Sequence, residues 1–228
     1  MRNLVNKLKV GSALIITALI CFRCAEDVGV KDASKANSTI PRAALGQGSF
    51  SLWGTCNGHP YNISGSNGIC VPVGNCSSDI DAAQQNGGQS AHAMQFNGCF
   101  KGGTNAYSGA SEEAVFVCDN VSQWNGNEMG FVKTLENNVL KAYLQGGGAY
   151  ITYPISTGDN GYHTFKCEAR STNVHMVDFY VDGTYKCTLT NNSGSYYNNW
   201  YYFVGTNHWY GGSTPTGQQI EMYNMNVW

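Results

Sequence analysis

The chain has 228 residues and a formal net charge of -2, and charged residues make up only 12% of the sequence. A charge balance this close to neutral provides neither the basic surface that nucleic acids require nor a basic membrane patch. We therefore expect no nucleic-acid partner.

The first 24 residues predict a secretory signal peptide. Arg2, Lys7 and Lys9 precede an apolar run at residues 10–22, which is the charge and length pattern of an export signal. The run is shorter than the roughly 20 apolar residues that span a bilayer. The sequence thus predicts a secreted, extracellular protein with no membrane span in its mature form. Retention of the segment as an anchor is the alternative.

The rest of the chain predicts a single domain, because about 200 residues suffice for one well-buried core. Residues 25–48 are small and polar without apolar periodicity, which indicates a flexible lead or pro-segment. We place a single β-sandwich at residues 49–228. Its first part, residues 50–103, is rich in Gly, Asn, Ser and Cys and predicts long loops with one strand at 91–96.

Cysteines beyond the signal predict a disulfide framework, because an exported chain favours bridges over metal thiolates. We expect most of them to be bridged, with the first four stapling the loop-rich part. Their odd number leaves one thiol over unless Cys24 survives processing. Cys167 and Cys187 are poorer partners, since strands flanking a middle strand hold them about 10 Å apart, beyond the roughly 7 Å limit. The seven are Cys56, Cys70, Cys76, Cys99, Cys118, Cys167 and Cys187.

The histidines give no metal-binding pattern. None of the five stands in an HxH or HExxH spacing, and the CxxC pair Cys21 and Cys24 lies in the signal without a second such pair. We predict no metal and no cofactor, with a structural calcium ion as the remaining option.

From residue 112 onward, polar and apolar residues alternate as in antiparallel strands. Asn137-Asn138 and residues 146–148, all glycine, supply turns between them. Strand follows strand without a helical pattern, which indicates a sandwich or jelly roll. The predicted strands are residues 113–118, 129–134, 139–145 and 150–155.

Two further strands, at residues 163–170 and 174–181, are followed by Asp182-Gly183, a dipeptide typical of a tight hairpin. A simple two-residue turn would place apolar and polar residues on one face of the hairpin. Either a bulge shifts the register, or Tyr180 and Tyr185 form a second, half-exposed aromatic face.

The same segment, residues 162–186, resembles the "FH-x-Y … I-x-F-Y-V-D-G" stretch of the laminarinase-like glucanases. These belong to family 16 of the glycoside hydrolases, within the concanavalin A-like lectin/glucanase superfamily. Residues 219–228 resemble the closing strand of those sandwiches. The resemblance implies an all-β fold, an antiparallel concanavalin A-like jelly roll, here stabilised by disulfides.

The family's catalytic motif, E-x-D-x-E or E-x-D-x-x-E, is incomplete in this chain. Glu128 fits the first position, but Gly130 stands at the second and Val132 or Lys133 at the third. Glycosidic cleavage needs two carboxyl groups a fixed distance apart, so we predict a binding protein rather than an enzyme. A pair made by Glu128 with Glu113 or Asp178, from another strand, stays open.

Aromatic and amide side chains are dense at residues 196–210. Rings can stack on pyranose faces while amides bond to hydroxyls; alternatively, half of the rings fill the core. The predicted ligand-binding residues, including two from the hairpin and one from residues 121–127, are Trp124, Tyr180, Tyr185, Trp200, Tyr202, Asn207, His208, Trp209 and Tyr210.

Five N-x-Ser/Thr sequons are candidate glycosylation sites in a secretory route. They begin at Asn37, Asn62, Asn75, Asn120 and Asn191.

The sequence therefore predicts a secreted, lectin-like protein that recognises an extracellular or cell-wall polysaccharide such as a β-glucan. Two alternatives stay open. One is an active endoglucanase-type glycoside hydrolase with carboxylates from separate strands. The other is a secreted structural or protein-binding effector on the same fold.

Overall fold

Antiparallel strands make up most of the computed structural model, which describes residues 43–55, 59–73, 80–102, 111–121, 126–134, 138–157, 160–209 and 217–228. These residues contain one short 3-10 helix, Gln47–Ser49, and no helix long and apolar enough to cross a membrane. The strands are β1 (Ala43–Leu45), β2 (Phe50–Gly54), β3 (Tyr61–Asn62), β4 (Ile69–Pro72), β5 (Ile80–Gln85), β6 (Gln89–Ala91), β7 (Ala93–Lys101), β8 (Ser111–Cys118), β9 (Glu128–Thr134), β10 (Val139–Gly146), β11 (Ala149–Thr157), β12 (His163–Arg170), β13 (Asn173–Val181), β14 (Thr184–Thr190), β15 (Asn199–Trp209) and β16 (Gln219–Val227).

The strands form two sheets that pack face to face. The back sheet has the order β14-β13-β12-β7-β16-β4-β3, and β1 pairs with β16. The front sheet has the order β11-β10-β9-β8-β15-β5-β2, and β6 pairs with β15. The predicted all-β antiparallel sandwich is therefore confirmed.

Period-two alternation explains the core between the sheets. Phe165, Cys167 and Ala169 of β12 point inward and are buried, while the residues between them face outward. Phe165 stacks on Phe96 of β7 at 5.0 Å between ring centroids and lies 5.1 Å from Phe131 of β9. Each fully buried ring contributes about 1.5–3 kcal/mol relative to an exposed one, so these phenylalanines join the two sheets.

The β13–β14 hairpin resolves the register conflict seen in the sequence. Asp182 and Gly183 have φ angles of 52° and 72°, as a primed hairpin turn requires. A register shift after Phe179 then places Tyr180 opposite Tyr185. Both readings of the sequence are confirmed, because a bulge is present and the two tyrosines form an outward aromatic pair.

The first half of the chain contains more sheet than the sequence predicted. Strands β2 to β7 occupy residues expected to be mainly loops. In addition, β1 pairs with β16 and buries Leu45 within the segment expected to be a flexible lead. The sheet thus begins before the predicted boundary at Ser49. Strands β1 to β6 have only two to six residues each, too few for apolar alternation to be recognised in the sequence.

The predicted disulfide framework is not seen among the five described cysteines, Cys70, Cys99, Cys118, Cys167 and Cys187, all of which are buried. Cys70 and Cys99 lie on either side of Glu221, each one strand away. Two strand spacings separate their α-carbons by about 10 Å, beyond the reach of a bridge. Cys167 and Cys187 flank Phe179 in the same way, as expected. Cys56 and Cys76 lie outside the described residues.

Candidate functional site

A groove crosses the outer face of the front sheet, and its floor is a row of side chains in register. Lys141 of β10 pairs with Val132 of β9, Val132 with Ala114 of β8, and Ala114 with Thr206 of β15. Three of these four side chains are short, so the row is lower than its neighbours. The depression runs across the strands rather than along them.

Two further registered rows wall the groove. Phe116 and Tyr143 lie on one side, flanking Gly130, and His208, Glu112 and Thr134 lie on the other. Burial lowers the pKa of His208 to about 4, so its ring is neutral at physiological pH. The groove has a volume of about 500 Å³. It is lined by Glu112, Ala114, Phe116, Glu128, Val132, Thr134, Lys141, Tyr143, Gln145, Tyr150, Thr152, Thr206 and His208.

Glu128, predicted at the first motif position, does face the groove. It begins β9, is only 3% exposed, and lies 2.7 Å from the Tyr143 hydroxyl through Oε2. Burial raises the pKa of Glu128 to about 7, although the hydrogen bond from Tyr143 opposes the rise. The carboxyl group therefore exchanges its proton near neutral pH.

No second carboxylate stands near Glu128 among the described residues that line the groove. Gly130 and Val132 occupy the next two outward positions of β9. A Cβ atom added at Gly130 would lie 2.2 Å from the Val115 backbone oxygen, so this position has no room for an aspartate. The other lining carboxylate, Glu112, pairs with Thr134, six residues along β9 from Glu128. That separation is about 20 Å, whereas glycosidase pairs lie about 5–10 Å apart.

The two partners that the sequence left open for Glu128 do not face the groove. Glu113 points into the sandwich, where it is fully buried opposite Lys133 and Asn207. Asp178 lies on the outer face of the back sheet, where Arg170 donates two hydrogen bonds of 2.8 Å to it. A catalytic pair of Glu128 with either residue is therefore wrong.

Strand β15 divides the predicted aromatic and amide residues between its two faces. Trp200, Tyr202 and His208 point outward on the front sheet, and Trp200 is 56% exposed. Asn207 points inward, is fully buried, and accepts a 2.7 Å hydrogen bond from Gln218. Neighbouring residues of a strand face opposite sides, so Asn207 cannot contact a ligand in the groove.

The remaining predicted ligand residues are not in the groove or are not described. Tyr180 and Tyr185 belong to the back sheet, where their rings pack edge to face at 5.8 Å. These two predicted ligand residues therefore lie on the sheet opposite the groove, because alternation in a strand does not indicate which sheet the strand joins. Trp124, Tyr210 and the side chain of Trp209 lie outside the part of the chain that the structure describes.

Several groove residues were missed in the sequence. Lys141, Tyr143 and Gln145 alternate with inward Ala142 and Leu144 along β10. The alternation in β10 is visible in the sequence, but it does not predict that the outward side chains of this strand line a groove. The Tyr150 ring stacks on the Tyr143 ring, with 6.4 Å between their centroids. The groove wall made by Phe116 and Tyr143 therefore continues onto β11.

The predicted glycosylation sites differ in accessibility. Asn62 is exposed and Asn120 is half-buried. Asn191 is 5% exposed and donates a 3.1 Å hydrogen bond to the Ala149 carbonyl, so its prediction as a glycan acceptor is wrong for the folded chain. Asn37 and Asn75 fall in segments that are not described. Within the described ranges, no three His, Cys, Asp or Glu side chains converge as metal ligands.

Comparison with known proteins gives structural matches only. No family model and no curated protein sequence matches the chain. The chain is similar to a β-glucanase of Bacillus licheniformis, with 12% identity, a TM-score of 0.50, and coverage of 77% of this chain and 96% of the glucanase. A solved native glycosidic hydrolase matches at 14% identity and a TM-score of 0.57, over 82% of this chain and 94% of the hydrolase.

A third similar structure is the carbohydrate-binding module CBM66 from Bacillus subtilis. It matches at 12% identity and a TM-score of 0.50, over 79% of this chain and 96% of the module. The chain has the concanavalin A-like glucanase fold. The resemblance expected from the sequence is therefore confirmed at the level of the fold. At these identities the concanavalin A-like fold is all that the likeness establishes, so function must be argued from the groove.

Proposed function

We propose that this chain is a secreted carbohydrate-binding protein whose front groove holds an extracellular or cell-wall polysaccharide such as a β-glucan. The observation that carries the proposal is the composition of the groove. Tyr143 and Tyr150 offer ring faces for pyranose stacking, while Gln145 and Thr152 offer hydrogen-bonding groups for hydroxyls. The four-strand floor row is about 14 Å long, which suits an extended chain laid across the strands.

The wide separation of the two carboxylates that line the groove, Glu128 and Glu112, supports binding without cleavage. Glu128 contacts Tyr143, and the nearest other lining carboxylate is about 20 Å away by strand geometry. Neither retaining nor inverting hydrolysis operates at that separation. The chain is similar in structure both to glucanases and to a carbohydrate-binding module. This is consistent with a groove that binds a glycan without hydrolysing it.

An endoglucanase-type hydrolase is the second candidate, and one observation favours it. Glu128 has a pKa near 7, which is the range of a general acid. The enzyme would need a second carboxylate to enter the groove.

Binding and reducing-end release, measured together, test the proposal. We would titrate the full chain with laminarin and a panel of neutral cell-wall glycans by calorimetry, and assay the same mixtures for new reducing ends. We expect binding without release, and a roughly tenfold weaker affinity in Tyr143→Ala. Tyr185→Ala, an equally simple change on the back sheet, should bind like the wild type.

The other outcomes identify the rivals. Release that disappears in Glu128→Gln would establish the hydrolase. Absence of binding to every glycan would leave the protein-binding or structural effector on this fold.

We also propose that residues 1–24 direct export, and that a eukaryotic or archaeal secretory route would modify Asn62 or Asn120. The charge and apolar pattern of the first 24 residues supports this step. The mass and amino-terminal sequence of protein recovered from the medium test it. A retained residue 1 would overturn it.

A further inference from the structure

The outer face of the back sheet carries a second group of aromatic and polar side chains, centred on Glu221. Lys101 Nζ lies 2.6 Å from Glu221 Oε1, and the Tyr223 hydroxyl lies 3.2 Å from Oε2. Tyr162 and Gln219 also donate hydrogen bonds to this carboxylate. We call these five residues the Glu221 cluster. It lies on the sheet opposite the groove, and the proposed function does not use it.

The charge of the cluster is fixed by these contacts. Burial alone would favour the neutral acid, but the hydrogen bonds from Lys101, Tyr162 and Gln219 hold the pKa of Glu221 below its usual value. Glu221 is only 7% exposed. It therefore acts as an anchor for the surrounding side chains rather than as a surface charge.

Tyr162 is the side chain that this anchor presents to solvent. Its hydroxyl is held by Glu221, and its ring lies 6.0 Å from the Tyr223 ring and 5.8 Å from Lys101 Nζ. Its exposed fraction is nevertheless 55%. A ring that is fixed at its hydroxyl and approached by Lys101 on one side, yet half exposed, loses little conformational entropy when a ligand stacks on its exposed surface.

Tyr61 provides a second exposed ring at the same level of the sheet. It pairs with Cys70 on β4, and Cys70 pairs with Glu221 on β16, so Tyr61 lies two strands, or about 10 Å, from the anchor. Its exposed fraction is 51%. The fully buried Cys70 lies between, so the surface between Tyr61 and Glu221 is low.

We propose that the Glu221 cluster and Tyr61 form a second saccharide-binding site, so that one chain binds polysaccharide on both faces of the sandwich. The inference rests on the proposed function, since it extends the same ligand class to a second face. A saccharide suits this surface because the rings alternate with charged and hydrogen-bonding groups, which match pyranose faces and hydroxyls respectively. Lys101, whose side chain is 36% exposed, is placed to donate to a ligand hydroxyl.

Binding stoichiometry tests the second site. We would titrate the full-length chain with laminarihexaose and count the oligosaccharides bound per chain. The wild type should bind two. Tyr162→Ala should bind one, and Tyr143→Ala should bind the groove oligosaccharide roughly tenfold more weakly while the affinity of the second site stays unchanged. Tyr185→Ala is the matched control, because it removes a 53% exposed tyrosine from the same sheet outside the cluster. It should still bind two.

The outcomes separate this inference from the proposed function. One site in the wild type that weakens in Tyr143→Ala and is unchanged in Tyr162→Ala would overturn the second site and leave the groove intact. No heat from the wild type would overturn both. If Tyr162→Ala does not fold, Tyr162→Phe keeps the ring without its anchor. That variant should weaken the second site roughly three- to fivefold, and an unchanged affinity would overturn the inference.

Discussion

The Tyr143 hydroxyl lies 2.7 Å from Glu128 Oε2 and 2.5 Å from Gln145 Oε1 in the front groove. Burial raises the pKa of Tyr143 far above its usual value, and Glu128 raises it further. The phenol therefore stays protonated, and its single proton is shared between Glu128 and Gln145. This arrangement holds the Tyr143 ring in place in the wall of the groove.

Glycan affinity should fall as pH rises through about 7. Below that pH the Glu128 carboxyl is mostly neutral, because burial has raised its pKa to about 7. A neutral glycan that covers Glu128 displaces the remaining water around the carboxyl group. This desolvation costs more free energy for the charged carboxylate than for the neutral acid, so binding is weaker at high pH. We expect affinity at pH 8.5 to be about five- to tenfold weaker than at pH 5.5, measured by calorimetry. Glu128→Gln should show a flat profile, and an equal pH dependence in that variant would assign the effect elsewhere.

Glu113→Gln should stabilise the protein at neutral pH. Burial raises the pKa of Glu113 well above its ordinary value of 4.5, despite the nearby Lys133. The folded state then binds a proton that the unfolded state releases, so stability is greatest below pH 4.5 and is lost as pH rises towards the folded pKa. Glu113→Gln removes this loss, because an amide does not titrate. We expect its free energy of unfolding in urea at pH 7 to be about 1–3 kcal/mol higher than that of the wild type.

The control for that prediction is Glu112→Gln, one residue earlier on the opposite face of β8. The free energy of unfolding of this variant should stay within about 0.5 kcal/mol of the wild-type value, as for most surface positions. A destabilised Glu113→Gln would mean that the carboxyl group is charged and paired with Lys133 in the folded protein.

Gly130→Ala should destabilise the front sheet. The added Cβ would lie 2.2 Å from the Val115 oxygen and 2.5 Å from the Phe116 Cα, both backbone atoms that cannot rotate away. We expect the free energy of unfolding to fall by about 2–4 kcal/mol, which a lower Tm would show. Gly87→Ala is the control, since nothing lies within 4 Å of its Cβ position. Equal Tm values for the two variants would contradict the close approach of β8 and β9 at Gly130.

The five described cysteines should resist alkylation in the folded protein. Burial raises the pKa of the Cys99 thiol to about 11 and that of Cys118 further still. Mass spectrometry should find iodoacetamide on none of the five before unfolding and, after unfolding without reductant, on Cys70, Cys99, Cys118 and Cys167. Failure of any of these four to react after unfolding would point to a bridge and restore part of the predicted framework.

The second half of the fold could be predicted from the sequence, and most of the site could not. Strands β12 and β13 alternate cleanly and end in Asp182-Gly183, so local physics defines them. The groove is assembled by register between strands far apart in the chain, such as Ala114 beside Thr206. Density of aromatic residues at 196–210 suggested a site, but Tyr196 and Tyr201 fill the core and Asn207 points inward. Composition cannot report which face of a strand, or which sheet, a residue joins.

The most direct test of the account is a crystal structure of the chain grown with laminarihexaose. The account predicts an intact oligosaccharide lying across the strands of the front sheet, with a pyranose ring stacked on Tyr143 or Tyr150 and Glu128 within hydrogen-bond distance of a hydroxyl. A cleaved product in the groove, or a groove left empty while glycan occupies another surface alone, would contradict it.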